Sequence, residues 1–251
     1  MVSRRILDDQ DDHPTAPHNS YKSNLPTTCA TPRALALTML VRKVAFAASL
    51  GVVHAQTAFE RCLGASSFSA AAQVVLPQSP AYANATVSTN LLFDYNAAAV
   101  VFLGAPKDAT LAIRCATRHA VPVVSRSGRH SYASFGSGGR DGALILDTTP
   151  LKEVVYDSKT GHATIGTGNR LGDIAVALDA VGRGMPHGTC AMVGIGGHST
   201  CGGFGMWSRQ HGLVIDQVVS YQVVVADGHI ETASRTKNAD LFWVRRHALR
   251  Q

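Results

Sequence analysis

The chain has 251 residues, of which 45% are hydrophobic and 16% are charged, and its formal net charge is +6. This composition is typical of a globular protein that is long enough for one sizeable core or two small ones. The positive charge is not gathered into a Lys/Arg cluster with interleaved aromatic side chains. We therefore predict that the chain has no nucleic-acid partner.

The N-terminal region combines two different segments. Within residues 1–38, the stretch 8–28 is polar, acidic and proline-containing, and this composition predicts that residues 1–38 are a disordered extension. Residues 39–55 have a basic start, a short apolar run and a small-x-small ending, which is the pattern of a secretory signal peptide. A signal peptide has a basic leader, so the acidic extension is interpreted as a gene-model artefact with Met39 as the true start.

The apolar run of the predicted signal peptide is well short of the roughly 20 residues that cross a bilayer. We therefore predict a secreted, extracellular protein without a membrane anchor. The alternative for this run is a buried helix.

Cysteine usage in the remaining chain agrees with an exported protein. Cleavage after Ala55 leaves Cys62, Cys115, Cys190 and Cys201. An even number of cysteines in a secreted chain indicates disulfides, with three possible pairings. The sequon that begins at Asn84 predicts N-glycosylation on a surface loop.

The rest of the chain alternates between strand and helix patterns. Residues 56–93 are predicted to form a helical lead-in. Apolar, β-branched runs predict strands over 98–104, 121–128, 142–148, 152–157, 162–168 and 217–228. Helical spacing of apolar positions predicts helices over 108–119, with Asp108 as the N-cap, and over 171–181.

Two further signals complete the pattern. The sequence ADG before His229 predicts a hairpin turn. The sequence NADLFW begins an amphipathic helix near the end of the chain. Strands and helices mixed in this way predict an α+β or α/β domain over residues 94–251.

The segment 187–205, HGTCAMVGIGGHSTCGGFG, holds two His, two Cys and seven Gly, and two interpretations of it stay open. The first is a zinc site, for which four N and S ligands have plausible spacing. These ligands are His187, Cys190, His198 and Cys201. The second is a diphosphate clamp formed with the loop 126–139, because Gly and Ser at strand ends let backbone N–H groups approach an anion. On spacing alone, His130 would bond a loop carbonyl and Cys190 would pair with Cys201.

Several ordered motifs make the chain resemble a known family. They are RCLGA, IRCATRHAVPVVSRSGRHSYASFG, LILDTTPLKEV, ATIGTGNRLGDI, HGTCAMVGIGGHSTCGGFGMWSRQHGLVIDQV, VVVADG and NADLFW. Over roughly residues 60–244 the chain resembles the berberine-bridge-enzyme-like oxidases, in particular the glucooligosaccharide and chitooligosaccharide oxidase branch. The resemblance implies an α+β, PCMH-type (vanillyl-alcohol-oxidase-like) FAD-binding domain of two small α/β subdomains.

The resemblance also implies the roles of individual residues. His130 would attach to the flavin 8α-methyl carbon and Cys190 to flavin C6, while the loop 126–131 wraps the pyrophosphate. The residues implied to bind FAD are Arg126, Ser127, Gly128, Arg129, His130, Ser131, Gly188, Cys190, Val193, Gly194, Gly197, His198 and Gly203. Cys62 and Cys115 match the family's disulfide, and Cys201 is then expected to fill a small buried site.

The activity implied is that of an FAD-dependent oxidase that acts on a CH–OH group. The expected partners are an oligosaccharide substrate and dioxygen, which is reduced to hydrogen peroxide. No nucleic acid, membrane or metal is expected, and the chain is expected to be a monomer. The resemblance places the catalytic tyrosine base and the substrate domain beyond this sequence, so we expect a truncated chain that holds the N-terminal part of the FAD site. A non-catalytic flavin-binding truncation product is the alternative.

Arg129 departs from the family pattern. It stands where the family's RSGGHSY motif has its second glycine. If that position needs a positive φ, a non-glycine residue costs about 1 kcal/mol or more in strain. We therefore hypothesise that Arg129→Gly raises FAD occupancy.

Overall fold

The structure is a computed structural model that describes residues 56–247. The predicted disordered extension, residues 1–38, and the predicted signal peptide, residues 39–55, lie outside the described residues. Among the helices that the structure describes, none is long and apolar enough to span a bilayer.

The described chain alternates between short strands and helices. In chain order the elements are α1 (Ala58–Gly64), β1 (Gln73–Val75), α2 (Tyr82–Thr86), β2 (Ala99–Phe102), α3 (Pro106–Arg118), β3 (Val123–Arg126), a 3-10 turn (Phe135–Ser137), β4 (Leu144–Asp147), β5 (Val154–Asp157), β6 (His162–Ile165), α4 (Leu171–Asp179), α5 (Ile195–Thr200), α6 (Ser208–His211), α7 (Val214–Gln217), β7 (Ser220–Val224), β8 (Ile230–Ser234) and α8 (Ala239–His247). The six predicted strand regions and the two predicted helices are all present, and the α+β class is confirmed.

A four-stranded sheet with the order β1-β2-β4-β3 forms the first half of the fold. Strands β2, β4 and β3 run parallel, and β1 pairs antiparallel with β2. Strands β2 (AVVF) and β4 (LILD) are apolar at nearly every position and are buried. This pattern is typical of parallel strands that are covered on both faces.

Helices α1 and α3 cover one face of this sheet. Phe59 and Leu63 of α1 pack with Ala112 and Ile113 of α3 against Leu144 of β4. A disulfide between Cys62 and Cys115 joins the two helices across 53 residues of sequence. This is the pairing that the family resemblance implies.

The predicted start of α3 was wrong by two residues. The helix begins at Pro106, and Asp108 stands in its third position rather than at the N-cap. Proline suits the first helical position because it has no N–H to satisfy there. The Asp108 carboxylate instead accepts the backbone N–H groups of Ala105 (2.7 Å) and Gly104 (3.0 Å), so it caps the helix from inside.

The lead-in is not wholly helical, and the sequon is not in a loop. Val74 and Val75 of β1 pair with β2, because β-branched residues suit a sheet surface. Asn84 lies in the short helix α2, where it is exposed as a glycosylation site must be.

The second half of the fold is built on two hairpins. Strands β5 and β6 pair antiparallel, and α4, α5 and α7 form a separate apolar core beside them. The buried members of this core are Leu171, Ile174, Leu178, Ile195 and Val214. Strands β7 and β8 form the other hairpin, and its turn is closed by a hydrogen bond from the N–H of Val225 to the carbonyl of His229. The predicted ADG turn is thereby confirmed.

Candidate functional site

A buried ion pair anchors the loop that follows β3. Arg126 ends β3 and Asp147 ends the neighbouring strand β4, and the two residues are register partners. The Arg126 Nε lies 2.8 Å from an Asp147 carboxylate oxygen, and both side chains are almost fully buried. Arg126 Nη2 donates to the carbonyl of Ala85 at 2.6 Å. Its Nη1 is buried without a hydrogen-bond partner among the residues that the structure describes.

Arg129 shares the same carboxylate. Its Nη2 lies 2.9 Å from the same Asp147 oxygen, and its guanidinium carbon is 5.8 Å from the centre of the Phe102 ring. Arg129 has a φ of +66°, so this position does have the left-handed backbone that the hypothesis about the family glycine requires. The Thr89 hydroxyl donates to the Arg129 carbonyl and supports this backbone.

The surroundings of Asp147 favour its ionised form. Burial by itself would raise the pKa of Asp147, but hydrogen bonds from Thr149 and the nearby guanidinium groups of Arg126 and Arg129 outweigh burial and lower it. Two cations therefore share one carboxylate. The base of the loop 126–131 carries an excess of positive charge, which favours an anionic ligand.

The loop 126–131 and the segment 187–205 are in direct contact. A Cβ atom on Gly128 would lie 2.6 Å from the Gly194 nitrogen, so the two backbones touch where both residues are glycine. The Ser127 hydroxyl donates to the carbonyl of Thr167 at 2.6 Å and accepts the N–H of Gly196 at 3.3 Å. The two segments that sequence analysis singled out are thus brought together.

Arg170, the N-cap residue of α4, bridges both segments. Its Nη1 donates to the carbonyl of Gly128 at 2.8 Å and to the carbonyl of Met192. His130 is exposed, and its Nε2 lies 3.0 Å from the Met192 carbonyl and 3.1 Å from Arg170 Nη1. The His130 ring therefore lies directly against the segment that carries Cys190.

His198 holds the backbone just before Cys190. The N–H of Gly188 donates to His198 Nε2 at 2.9 Å, so that nitrogen is unprotonated. Burial, and then the nearby charge of His187, lower the pKa of His198. The neutral acceptor form is therefore favoured. Cys190 itself is an exposed free thiol.

The residues present fit a dinucleotide. None of the backbone N–H groups of residues 127–131 donates to an acceptor within the described part of the chain. Consecutive free N–H groups at the end of a parallel strand suit a diphosphate. Two exposed nucleophilic side chains, His130 and Cys190, lie on the two contacting segments.

Other predicted site residues have different environments. Gly197 would meet nothing within 4 Å if it carried a Cβ, whereas Gly203 has a φ of +82° and packs against Val214. Val193 is half-buried, and its N–H donates to the carbonyl of Cys190 at 3.2 Å.

The expectation that Cys201 is buried was wrong. Cys201 is an exposed free thiol, because it follows directly on the short helix α5 and is not covered by a neighbouring element. The structure does not support the zinc interpretation. No group of three or more His, Cys, Asp or Glu side chains within residues 56–247 is placed to hold a metal ion.

Two residues of this site, Asp147 and Arg170, were not predicted from the sequence. Asp147 reads as the end of the apolar strand LILD, and Arg170 reads as a polar residue before a helix. The pairing of β3 with β4 places Asp147 beside Arg126. The approach of α4 to both loops brings Arg170 to the carbonyls of Gly128 and Met192.

Comparisons with known proteins identify the domain. Residues 97–234 match the family described as FAD binding domain. The carbohydrate oxidase of Microdochium nivale is 40% identical over 208 residues, which are 79% of this chain and 41% of that protein. The chain thus spans about two fifths of the length of this curated relative.

Two solved structures share the fold. The wild-type BBE-like 1 protein of Physcomitrella patens is 36% identical, with a TM-score of 0.72 over 76% of this chain and 41% of that one. The glucooligosaccharide oxidase of Acremonium strictum, which has a 6-S-cysteinyl, 8α-N1-histidyl FAD, is also 36% identical, with a TM-score of 0.70 over 76% of this chain and 39% of that one. The chain therefore belongs to the FAD-binding domain family, with the berberine-bridge-enzyme-like fold that its motifs imply.

Proposed function

We propose that this chain is the FAD-binding part of an FAD-dependent oxidase and that it holds its flavin covalently through His130 and Cys190. The observation that carries this proposal is the contact between the loop 126–131 and the segment 187–205, which sets one exposed nucleophile on each side. The glucooligosaccharide oxidase relative has a flavin bound through one cysteine and one histidine.

Different residues of the site bind the diphosphate and the flavin ring of FAD. The free N–H groups of residues 127–131 bind the diphosphate, and the excess positive charge of Arg126 and Arg129 over Asp147 favours its negative charge. His130 and Cys190 hold the flavin ring by covalent bonds. When bound, the flavin supplies the hydride acceptor for oxidation of the substrate, while the protein supplies orientation and electrostatics.

The substrate that we propose is a CH–OH group of an oligosaccharide, with dioxygen as the electron acceptor and hydrogen peroxide as the product. The carbohydrate and glucooligosaccharide oxidase relatives support this substrate class. Two covalent bonds leave the flavin free to sit in an open site, because binding no longer depends on enclosure of the ring. An open site suits a bulky sugar chain.

We also propose that the protein is secreted. The Cys62–Cys115 disulfide supports this proposal, since structural disulfides form and persist in oxidising compartments. The exposed position of Asn84 in its sequon is consistent with glycosylation during export.

The experiment that tests the proposed function uses the full chain expressed in a secreting host. The purified protein is denatured, and flavin fluorescence on the protein band and the intact mass are measured for the wild type, His130→Ala, Cys190→Ala and the double variant. We expect one attached FAD in the wild type and in each single variant, and none in the double variant. Attached flavin in the double variant, or a folded wild type that never acquires any, would overturn the proposal. Peroxide release with oligosaccharides as substrates then tests the oxidase activity.

A further inference from the structure

We infer that Arg170 is a positioning residue for flavin attachment, because its guanidinium ties the His130 loop to the Cys190 segment and holds the Met192 carbonyl that lies against His130 Nε2. This inference rests on the proposed attachment of flavin at His130. Arg170 does not touch the atoms that react, so it acts through His130.

The backbone places Arg170 where it can reach both segments. Arg170 has extended dihedral angles (φ −92°, ψ 157°) as the N-cap residue of α4, and its N–H donates to the Asp173 carboxylate at 3.2 Å. The next residue, Leu171, donates its N–H to the carbonyl of Val193 at 2.9 Å. The start of α4 is therefore fixed against the Cys190 segment before the side chain makes any contact.

The guanidinium then joins the two segments through a single nitrogen. Arg170 Nη1 donates to the carbonyl of Gly128, two residues before His130, and to the carbonyl of Met192, two residues after Cys190. Both bonds are charge-assisted and so are stronger than bonds between neutral groups. This side chain therefore adds a second link beside the direct contact of Gly128 with Gly194.

The contacts of His130 Nε2 favour one tautomer of the neutral ring. Arg170 Nη1 can only donate and lies 3.1 Å from His130 Nε2, but its two hydrogens also have the carbonyls of Gly128 and Met192 as acceptors. The Met192 carbonyl can only accept a hydrogen bond, and it lies 3.0 Å from His130 Nε2. The tautomer with its hydrogen on Nε2 pairs that hydrogen with the Met192 carbonyl, and we infer that this tautomer, with a free lone pair on Nδ1, is the one that attaches flavin.

An unprotonated Nδ1 is the form of the imidazole that can attack carbon. Attachment forms a bond between Nδ1 and the flavin 8α-carbon and breaks one C–H bond of the 8α-methyl group. The second hydrogen lost is the one on Nε2, and the two electrons released leave with both hydrogens on dioxygen as hydrogen peroxide. The Met192 carbonyl, which accepts the Nε2 hydrogen, stabilises the positive charge that builds on the ring as the bond forms.

The test measures attachment at His130 alone, in the Cys190→Ala background of the full chain. Arg170→Met keeps an unbranched apolar stem and removes the donors, and Arg170→Lys keeps a charge that can reach one carbonyl. Arg235→Met, at an exposed position outside the site, is the matched control. The attached fraction is followed over time by intact mass after addition of FAD, and a thermal melt of each variant verifies folding.

We expect Arg170→Met to slow attachment about tenfold or more, the loss typical of a hydrogen bond to a charged group. Arg170→Lys should give an intermediate rate, and Arg235→Met should match the Cys190→Ala protein. An attachment rate in Arg170→Met equal to that of the Cys190→Ala background would overturn the inference.

A second readout does not depend on flavin. Nitrogen-15 NMR of the neutral His130 ring in cofactor-free wild-type protein should show the hydrogen on Nε2. Arg170→Met releases the Met192 carbonyl from the guanidinium and should therefore shift both ring nitrogens toward the averaged values of exchanging tautomers. Hydrogen on Nδ1 in the wild type, or unchanged ring shifts in Arg170→Met, would contradict the role of Arg170. A wild type with the expected tautomer but no flavin on His130 would instead refute the proposed function.

Discussion

Replacement of Asp147 by asparagine tests the buried ion pair beneath the flavin loop. The Asp147 side chain is fully buried and that of Arg126 is 1% exposed, while Arg129 is 26% exposed. Removing one member of a buried pair leaves the other charge uncompensated, which costs about 3–5 kcal/mol. We expect Asp147→Asn to lower the free energy of unfolding by that amount, chiefly through Arg126, because water partly screens Arg129.

Thermal unfolding is the assay for this prediction. For a domain of this size, 1 kcal/mol corresponds to about 2–4 °C in melting temperature, so the melting temperature of Asp147→Asn should fall by roughly 6–20 °C. Asp173→Asn is the matched control, because Asp173 pairs with Lys152 at 2.7 Å but the two side chains are 52% and 44% exposed. That surface pair should contribute at most about 1 kcal/mol. Equal losses in the two variants would refute the reasoning.

The stability that the Asp147 carboxylate contributes should depend on pH. The pKa of Asp147 is lower in the folded protein than in the unfolded chain, so folding favours the ionised form. The stabilisation is fully present above the unfolded pKa, about 3.9, and is lost as the pH falls through the lower folded value. The difference in melting temperature between wild type and Asp147→Asn should therefore shrink on acidification below pH 4. A difference that stays constant would contradict the ion pair as its source.

Three further predictions concern other parts of the chain. Gly194→Ala places a Cβ 2.7 Å from the Ser127 hydroxyl and should reduce attached flavin in a denaturing mass measurement, whereas Gly64→Ala, which meets nothing within 4 Å, should not. Cys62→Ser opens a disulfide that spans 53 residues and should lower the free energy of unfolding by about 4 kcal/mol in urea titrations; a loss below 1 kcal/mol would contradict a structural role. Arg129→Gly relieves a φ of +66°, a strain of about 1–2 kcal/mol, and removes a partly exposed charge worth at most about 1 kcal/mol, so it should raise FAD occupancy in side-by-side purifications; unchanged occupancy would contradict this prediction.

Much of the fold could be predicted because its signals are local. The strands β2 and β4 are apolar and β-branched and are bounded by glycine or aspartate, and the ADG turn stands between two such runs. The short strand β1 could not be found in this way. Its three residues form a strand through antiparallel pairing with the edge of β2, and this pairing is not visible in the local sequence. The start of α3 was misplaced because an aspartate before an apolar helical run is typical of an N-cap, whereas Asp108 stands at the third helical position and accepts the N–H groups of Gly104 and the N-cap residue Ala105.

Some residues of the candidate site could be predicted from local sequence motifs, and others could not. The glycines and the two nucleophiles could be predicted because glycine permits close approach of backbones and the motifs around His130 and Cys190 resemble a known family. The roles of Asp147 and Arg170 depend on contacts between residues 18 to 42 positions apart. A local pattern of charge or hydropathy does not predict contacts between residues so far apart in the sequence. The glycine that Arg129 replaces raised the question of a positive φ, which the structure answers, but nothing in the sequence placed the Arg129 guanidinium on Asp147.

Covalent attachment at both loops is tested most directly by peptide mapping of the purified full chain. Trypsin releases His130 in the peptide 130–140 and Cys190 in the peptide 184–209. We predict that these two peptides are recovered as one species, joined through a single flavin that absorbs visible light. Recovery of both peptides unmodified from folded protein that was supplied with FAD would contradict this account.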